Sequence, residues 1–360
     1  MRPILFNGKF LSARPTGVHR VAEELIRAVD TLLEERDELE AVLIHPRDIV
    51  RRPTLRRISQ RRVGRSTWQV WEQGELPLVA GPGLLVNLCN LGPVMRRDAI
   101  TMIHDAQVIE SPQSYAPLFR AYYRAVQPVI ARRHRAVVTV SDYARDALVR
   151  HGVAPSSAIT VIPNGVDHVT RTPPDRTAAR AHGLAPGRYV LAPATAQAHK
   201  NVAMLIDAFR RPELATTTLA LFGDTPLAEI DRYAPANVAA LGRVSDAALF
   251  GLMEQAAAFA CPSLTEGFGL PPLEAMAVGA PVVAAPRGAL PETCGDAAIY
   301  VDPDDPGAWA ETLGRLADWG PLRRQRAEEG LAHAQAFTWE RSARKLLRLI
   351  DEVEGRHCAA

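Results

Sequence analysis

Lysine is almost absent from this chain. Among 360 residues and 42 basic side chains, only Lys9, Lys200 and Lys345 are lysine; the rest are arginine. Codon usage explains such a bias, yet it makes each retained lysine worth examining. Cysteine is scarce too. Cys89, Cys261, Cys294 and Cys358 stand far apart without metal-ligand spacing, which argues against a disulfide scaffold and reads as reduced thiols of a cytosolic protein. Net charge is small, and +2 gives no reason to expect a nucleic-acid partner. No apolar run reaches the ~18 residues of a spanning helix. The opening Met1-Arg-Pro-Ile-Leu-Phe6 leads straight into a strand and lacks the apolar stretch of a signal peptide. The expectation is a cytoplasmic location. There is no Cys/His cluster, no Walker-type phosphate loop and no Gly-x-Ser-x-Gly turn, so neither a metal nor a nucleophilic serine is expected.

Hydrophobic residues make up 47% of the chain, ample for two domains of ordinary size. Short apolar runs predict strands at Ile4–Asn7, Ala41–Ile44, Leu84–Leu88, Ile100–His104, Ala136–Val140 and Ile159–Ile162. Thr16 is placed to cap a helix whose face carries Val18, Val21, Leu25, Ala28, Val29 and Leu32. The turn Asn164-Gly165-Val166-Asp167 and a stretch rich in Pro, Arg and Ala then mark a boundary. The alternation restarts with strands at Tyr189–Pro193, Thr218–Phe222, Val238–Leu241, Ala258–Cys261, Val282–Ala285 and Ala298–Val301. It ends in an amphipathic helix over Trp339–Val353. Strands alternating with helices predict an α/β fold of parallel sheets covered on both faces. The domains are set at 1–166, 167–336 and a final helical segment 337–360. Ligands of such sheets bind beyond the carboxyl ends of the strands.

Glu266 and Glu274 bracket the stretch Glu266-Gly-Phe-Gly-Leu-Pro-Pro-Leu-Glu274. Glu266 is expected in the loop leaving a strand. Pro271-Pro272 is a helix-start signal that puts Glu274 in the first turn of the following helix. Between them lie the backbone amides of Gly267, Phe268, Gly269 and Leu270, at the positive end of a helix dipole. A carboxylate at each end of an anion-binding loop suits a ligand with phosphates in the middle and hydroxyls on both sides, the layout of a nucleotide sugar. The structural alternative is an ordinary strand-to-helix turn with a dipole-favoured glutamate.

Other candidates carry their own structural alternatives. His104, ending a strand, suits a sugar hydroxyl or proton transfer, or simply caps the strand. Gly17 lets a phosphate approach the helix start, or is a plain loop glycine. Lys200 can reach a diphosphate, or is solvated surface. Gly242-Arg243-Val244-Ser245-Asp246 can border a nucleotide base, with Asp246 as helix cap. The segment Arg47 to Arg65 reads as a cationic loop for anionic lipid or a diphosphate-linked acceptor, or as a solvated charge run. Trp68 and Trp71 behind it favour a membrane surface slightly.

Taken together, these residues resemble the retaining nucleotide-sugar glycosyltransferases of family 4, which have the GT-B fold. The motifs are Glu266 to Glu274, His199-Lys200-Asn201, Ile162-Pro-Asn-Gly-Val-Asp167, His104-Asp105, Ser141, Gly242 to Asp246 and Leu290-Pro-Glu-Thr-Cys-Gly-Asp296, spread over nearly the whole length. The resemblance implies two Rossmann-like domains facing across a cleft. The first would bind the acceptor and the second the nucleotide sugar, and the final helix would cross back onto the first. It implies that Glu266 touches donor-sugar hydroxyls, Glu274 the ribose, Lys200 the phosphates, and Gly267 to Leu270 the sugar and distal phosphate. His104 and Gly17 would meet the donor from the first domain. Donor-side catalysis then falls to His104, Lys200 and Glu266, without metal or cofactor. The partners implied are a GDP- or UDP-linked hexose and a glycan or polyprenyl-diphosphate-linked acceptor, in bacterial surface-polysaccharide synthesis, peripheral to the inner face of a membrane through Arg47 to Arg65.

Two departures from the resemblance stand out. Ala194 and Thr195 occupy the positions where many relatives carry a second basic residue, and Thr16-Gly17 replaces a glycine pair. Alanine at Lys200, Glu266 or Glu274 is expected to abolish transfer while thermal stability stays near normal. The alternatives are an enzyme that modifies the sugar nucleotide itself, of epimerase type, and an inactive partner protein that keeps the fold.

Overall fold

The computed structural model describes residues 2–36, 38–195, 197–224, 234–318 and 320–356. Cys358 lies outside them. The described chain forms two compact units. One takes residues within 1–109, 117–165 and 338–360, the other Glu110–Ala116 and Val166–Phe337.

In the first unit seven parallel strands are ordered β3-β2-β1-β4-β5-β6-β7. They are β1 Ile4–Asn7, β2 Ala41–His45, β3 Ser59–Arg62, β4 Leu84–Asn87, β5 Ala99–Met102, β6 Ala136–Thr139 and β7 Ile159–Val161. The central strands are buried along their whole length, because helices cover both faces of the sheet. The helix Gly17–Leu32 starts where expected, with the Thr16 side chain accepting from the His19 amide, and it buries Val21, Leu25 and Val29. The helix Trp339–Glu354 packs against it, burying Trp339, Leu346 and Ile350. Gly165 makes this possible: a Cβ there would lie 2.2 Å from the Trp339 amide nitrogen. The glycine of the Asn-Gly-Val-Asp turn is therefore required by close approach of the final helix.

Strand β3 corrects the reading of Arg47 to Arg65 as a loop. Ser59-Gln-Arg-Arg62 carries no hydrophobic pattern and joins the sheet edge through its backbone ladder, with the Ser59 hydroxyl also donating to the Ala41 carbonyl. The approach is fixed by the buried carboxylate of Asp30, which accepts from the amides of Arg56, Arg57 and Ile58 at 2.7–2.9 Å. Arg51 is paired with Glu23, and Arg56 with Glu34. Trp71 is fully buried, its indole N–H donating to the Val63 carbonyl, so it offers nothing to a membrane surface; Trp68 is exposed. Among the described residues no helix is long and apolar enough to cross a membrane.

The second unit carries six parallel strands ordered β10-β9-β8-β11-β12-β13. They are β8 Tyr189–Pro193, β9 Thr218–Phe222, β10 Val238–Gly242, β11 Ala258–Cys261, β12 Val282–Ala284 and β13 Ala298–Tyr300. One of its cores gathers Phe209, Leu219 and Trp309. Ser245, not Asp246, caps the helix Asp246–Gln255, its hydroxyl accepting from the Ala248 amide. The strand order turns back between β8 and β11. That is the switch point at which open parallel sheets leave a crevice beyond their carboxyl ends.

Candidate functional site

Lys200 and Glu266 follow the two strands at that switch point. Lys200 ends the turn Ala198–Lys200 after β8, and Glu266 lies in the loop after β11. Their side chains meet, Nζ to Oε1, at 2.7 Å, retaining only 15% and 10% exposure. Asn201 holds the turn in a left-handed conformation (φ 54°) and donates its amide to the carbonyls of Pro303 and Pro262. Burial on its own pushes the Glu266 carboxyl up. The charge and hydrogen bond of Lys200, with a hydrogen bond from Ser263, outweigh it and leave Glu266 below its ordinary value. Glu266 is therefore ionised at neutral pH.

His199 is almost wholly buried beside them. Nδ1 lies 3.0 Å from the Ser114 hydroxyl, and the His199 carbonyl accepts from the Leu264 amide. Burial, then the neighbouring Lys200 charge, lowers its pKa to about 4, so the ring is neutral. Its buried Nε2 has no hydrogen-bond partner among the described residues. A polar ring nitrogen kept from water without a partner is costly unless a ligand completes it.

The backbone around Glu266 is fixed by a residue that sequence reasoning missed. Gly288 adopts φ 62°, and a Cβ on it would meet the Glu266 amide nitrogen at 2.5 Å. The next residue, Ala289, donates its amide to the Glu266 carbonyl. Beyond Glu266, Phe268 is buried edge-on against Phe337. Gly269 takes φ 93° and opens the helix Leu270–Ala277. That helix begins at Leu270, ahead of the Pro271-Pro272 start signal, so Glu274 lies in its second turn rather than its first. Pro271 and Pro272 sit inside the first turn and remove two amide donors. The helix still turns the positive end of its dipole towards the Glu266 loop.

Glu274 is buried and accepts from His168, Nε2 to Oε1, at 2.9 Å. His168 opens the short helix His168–Arg171 and packs its ring edge against Phe250. A separation of 106 residues hid this pair from the sequence.

Arg243 does not join the cluster. It follows the edge strand β10, is 44% exposed and is paired with Asp224. In the first unit, His104 comes two residues after β5 and is buried. Nε2–H donates to the Leu88 carbonyl at 2.8 Å, leaving Nδ1 as an acceptor. Burial lowers its pKa to about 4, which suits it to receive a hydroxyl hydrogen and makes it a weak base at neutral pH. Gly17 is the first residue of its helix. Among the described residues, nothing beyond its chain neighbours and its own helix turn lies within 4 Å of the place a Cβ would take, so packing does not demand a glycine there.

The sequence matches two family descriptions: "Glycosyltransferase Family 4" over residues 16–169 and "Glycosyl transferases group 1" over residues 187–318. It is 32% identical over 260 residues to an O-antigen chain mannosyltransferase B of Escherichia coli, covering 67% of each chain. It is 33% identical over 261 residues to a D-inositol 3-phosphate glycosyltransferase of Salinispora tropica, covering 64% of this chain and about half (53%) of that relative. Among solved structures it is similar to HepE of Anabaena in complex with UDP and glucose. The TM-score is 0.72 at 20% identity, with 98% of this chain and 100% of that one covered, a likeness that concerns the fold.

Proposed function

Because the chain belongs to the glycosyltransferases of group 1 and family 4 and has their GT-B fold, we propose that it moves a hexose from a GDP- or UDP-linked donor to a glycan or lipid-linked acceptor, with retention of anomeric configuration. The role is in synthesis of a surface polysaccharide, as the name of the O-antigen mannosyltransferase relative suggests. The observation that carries the reading is the buried Lys200–Glu266 pair at the sheet's switch point, with Glu274 one loop away.

A sugar diphosphate leaves with developing negative charge. In this reading the donor separates Lys200 from Glu266. The ammonium goes to the phosphates, and the freed carboxylate accepts sugar hydroxyls. The amides between Gly267 and Leu270 supply the rest of the anion's partners, so no metal is required for the leaving group. Glu274, oriented by His168, receives the ribose hydroxyls. His104 offers Nδ1 to a donor-sugar hydroxyl as an acceptor, and Gly17 leaves room at its helix start. Arg243 borders the base only after leaving Asp224, and is the most peripheral of the group. Retention by front-face attack needs no protein nucleophile, which suits a Glu266 whose neighbour is a lysine.

The test is transfer from GDP- and UDP-hexoses, chosen by thermal shift, where a ligand at 100 times its dissociation constant stabilises by about 2.7 kcal/mol. Alanine at Lys200, Glu266 or Glu274 is expected to abolish transfer. Normal turnover in Glu274→Ala removes the ribose role, and a product of inverted configuration removes retention. Isomerised donor in the absence of acceptor identifies a donor-modifying enzyme instead.

A further inference from the structure

His199 is 1% exposed, and its surroundings belong to the second unit. Nδ1 lies 3.0 Å from the hydroxyl of Ser114, at the end of the short turn Pro112–Ser114. The His199 carbonyl accepts from the Leu264 amide, which ties the turn after β8 to the loop that carries Glu266. Next to it in the chain, Lys200 makes the ion pair with Glu266. Nε2 is left over, buried and without a hydrogen-bond partner among the described residues.

The Ser114 hydroxyl can donate to Nδ1, and a neutral ring bonded in that way carries its hydrogen on Nε2. Nε2 is then a donor, and a buried donor needs an acceptor. Phenylalanine would fill a similar volume without that demand, so packing does not explain a histidine here. The acceptor at hand is the Glu266 carboxylate. Its charge favours protonation of the ring, and the ring helps to hold the carboxylate below its ordinary value, so the two groups lie within electrostatic reach. In the free protein it is Lys200 that holds Glu266, at Oε1.

The proposed function makes a demand on that pair. A donor diphosphate that draws the ammonium away leaves a carboxylate with 10% exposure and without its cation. An uncompensated charge at that depth is strongly unfavourable. Ser263 supplies one hydrogen bond, whereas a carboxylate has about four acceptor positions. A neutral N–H stabilises the carboxylate without cancelling its charge, and so leaves it able to accept sugar hydroxyls.

We propose that His199 is the reserve partner of Glu266. When a donor diphosphate takes Lys200, Nε2–H donates to the carboxylate, which stays ionised and in place for the sugar. His199 touches no substrate in this scheme. It is a positioning residue, and Ser114 sets its tautomer. The exchange of partners rests on the glycosyltransferase reading; the attraction of the ring for a Glu266 that lacks its lysine does not.

A mutant cycle without ligand tests the contact. In thermal melts at pH 7, His199→Phe alone should shift Tm by no more than about 2–4 °C, the size expected for the single neutral bond to Ser114. In Lys200→Ala, where Glu266 already lacks its cation, the same change should lower Tm by a further ~5–10 °C. His199→Gln keeps a side-chain N–H and should escape most of that loss, and adding Glu266→Gln should abolish it. An additive cycle overturns the proposal. So does a loss that persists with Glu266→Gln, which places the effect in packing. Calorimetry with UDP, GDP, UDP-glucose and GDP-mannose tests the exchange. His199→Phe should bind the ligand preferred by the wild type about tenfold more weakly, Ser114→Ala about threefold, and His199→Gln within about threefold of the wild type. Unchanged binding in His199→Phe overturns the exchange. A coupled cycle in a chain that binds none of the four removes the donor reading and leaves the contact between His199 and Glu266 standing.

Discussion

Replacing Lys200 by alanine removes the cation 2.7 Å from a carboxylate that is nearly out of water. Breaking one partner of a buried pair costs about 3–5 kcal/mol. Here the side chains keep 15% and 10% exposure and Ser263 still hydrogen-bonds Glu266, so the loss belongs at or below the lower end, about 2–3 kcal/mol. For a folding unit of this size that is about 5–10 °C in Tm. The variant should therefore lose stability as well as transfer, which revises the expectation of near-normal stability.

The pH dependence identifies the cause. With Lys200 in place, Glu266 titrates below its ordinary 4.5, so it stabilises the fold above 4.5 and loses that contribution as pH falls through the depressed value. Without Lys200, burial dominates and raises the value. The penalty is then absent while Glu266 is protonated in both states, and grows as pH rises through 4.5. Urea unfolding of the wild type, Lys200→Ala, Glu266→Gln and the double variant should show a gap between wild type and Lys200→Ala that widens as pH rises through 4.5 and closes only once pH falls below the depressed Glu266 value. The double variant should recover most of the loss. A pH-independent gap, or a double variant no more stable than Lys200→Ala, refutes the reasoning.

His168→Ala should weaken UDP or GDP binding about tenfold by calorimetry, the effect of one hydrogen bond to a charged group; equal losses for the ribo and 2′-deoxy nucleotides would place His168 outside ribose orientation. Stability should decline as pH drops from 6.5 towards 4, because buried His104, His134 and His199 titrate at about 4 in the fold and at 6.5 unfolded, so the unfolded chain takes up the protons first; a flat profile over that window contradicts their burial as neutral rings. Ser245→Ala should cost about 1 kcal/mol of stability and Asp246→Ala much less, since the Ser245 hydroxyl makes the capping bond; the reverse order in thermal melts restores Asp246 as the cap.

The central strands were legible because burial on both faces writes itself as continuous apolar runs, as in Leu84 to Asn87 and Ala258 to Cys261. Strand β3 was illegible because Ser59-Gln-Arg-Arg62 pairs through amides and carbonyls that every residue carries, and it is steered by an aspartate distant in sequence. Of the candidate site, the loop glycines, prolines and charges were legible as motifs. The partners were not: Lys200 with Glu266, His168 with Glu274 and Gly288 under Glu266 are contacts made only by the folded sheet. Trp71 looked like a neighbour of Trp68, yet one is buried and the other exposed, because Trp71 lies in a π-helical turn, Trp71–Glu75, and Trp68 precedes it at φ 54°.

Pro271 and Pro272 do more than delete two donors. Each fixes its own φ, and Gly288 with the Ala289 amide clamps the other end of the same stretch at Glu266. The span between Glu266 and Glu274 is therefore held at both ends, like a calliper, before any ligand arrives. Under the proposed roles, a donor is measured by length: a nucleoside diphosphate sugar reaches both jaws, whereas a sugar phosphate or a bare nucleoside meets one and leaves the other with its histidine or lysine.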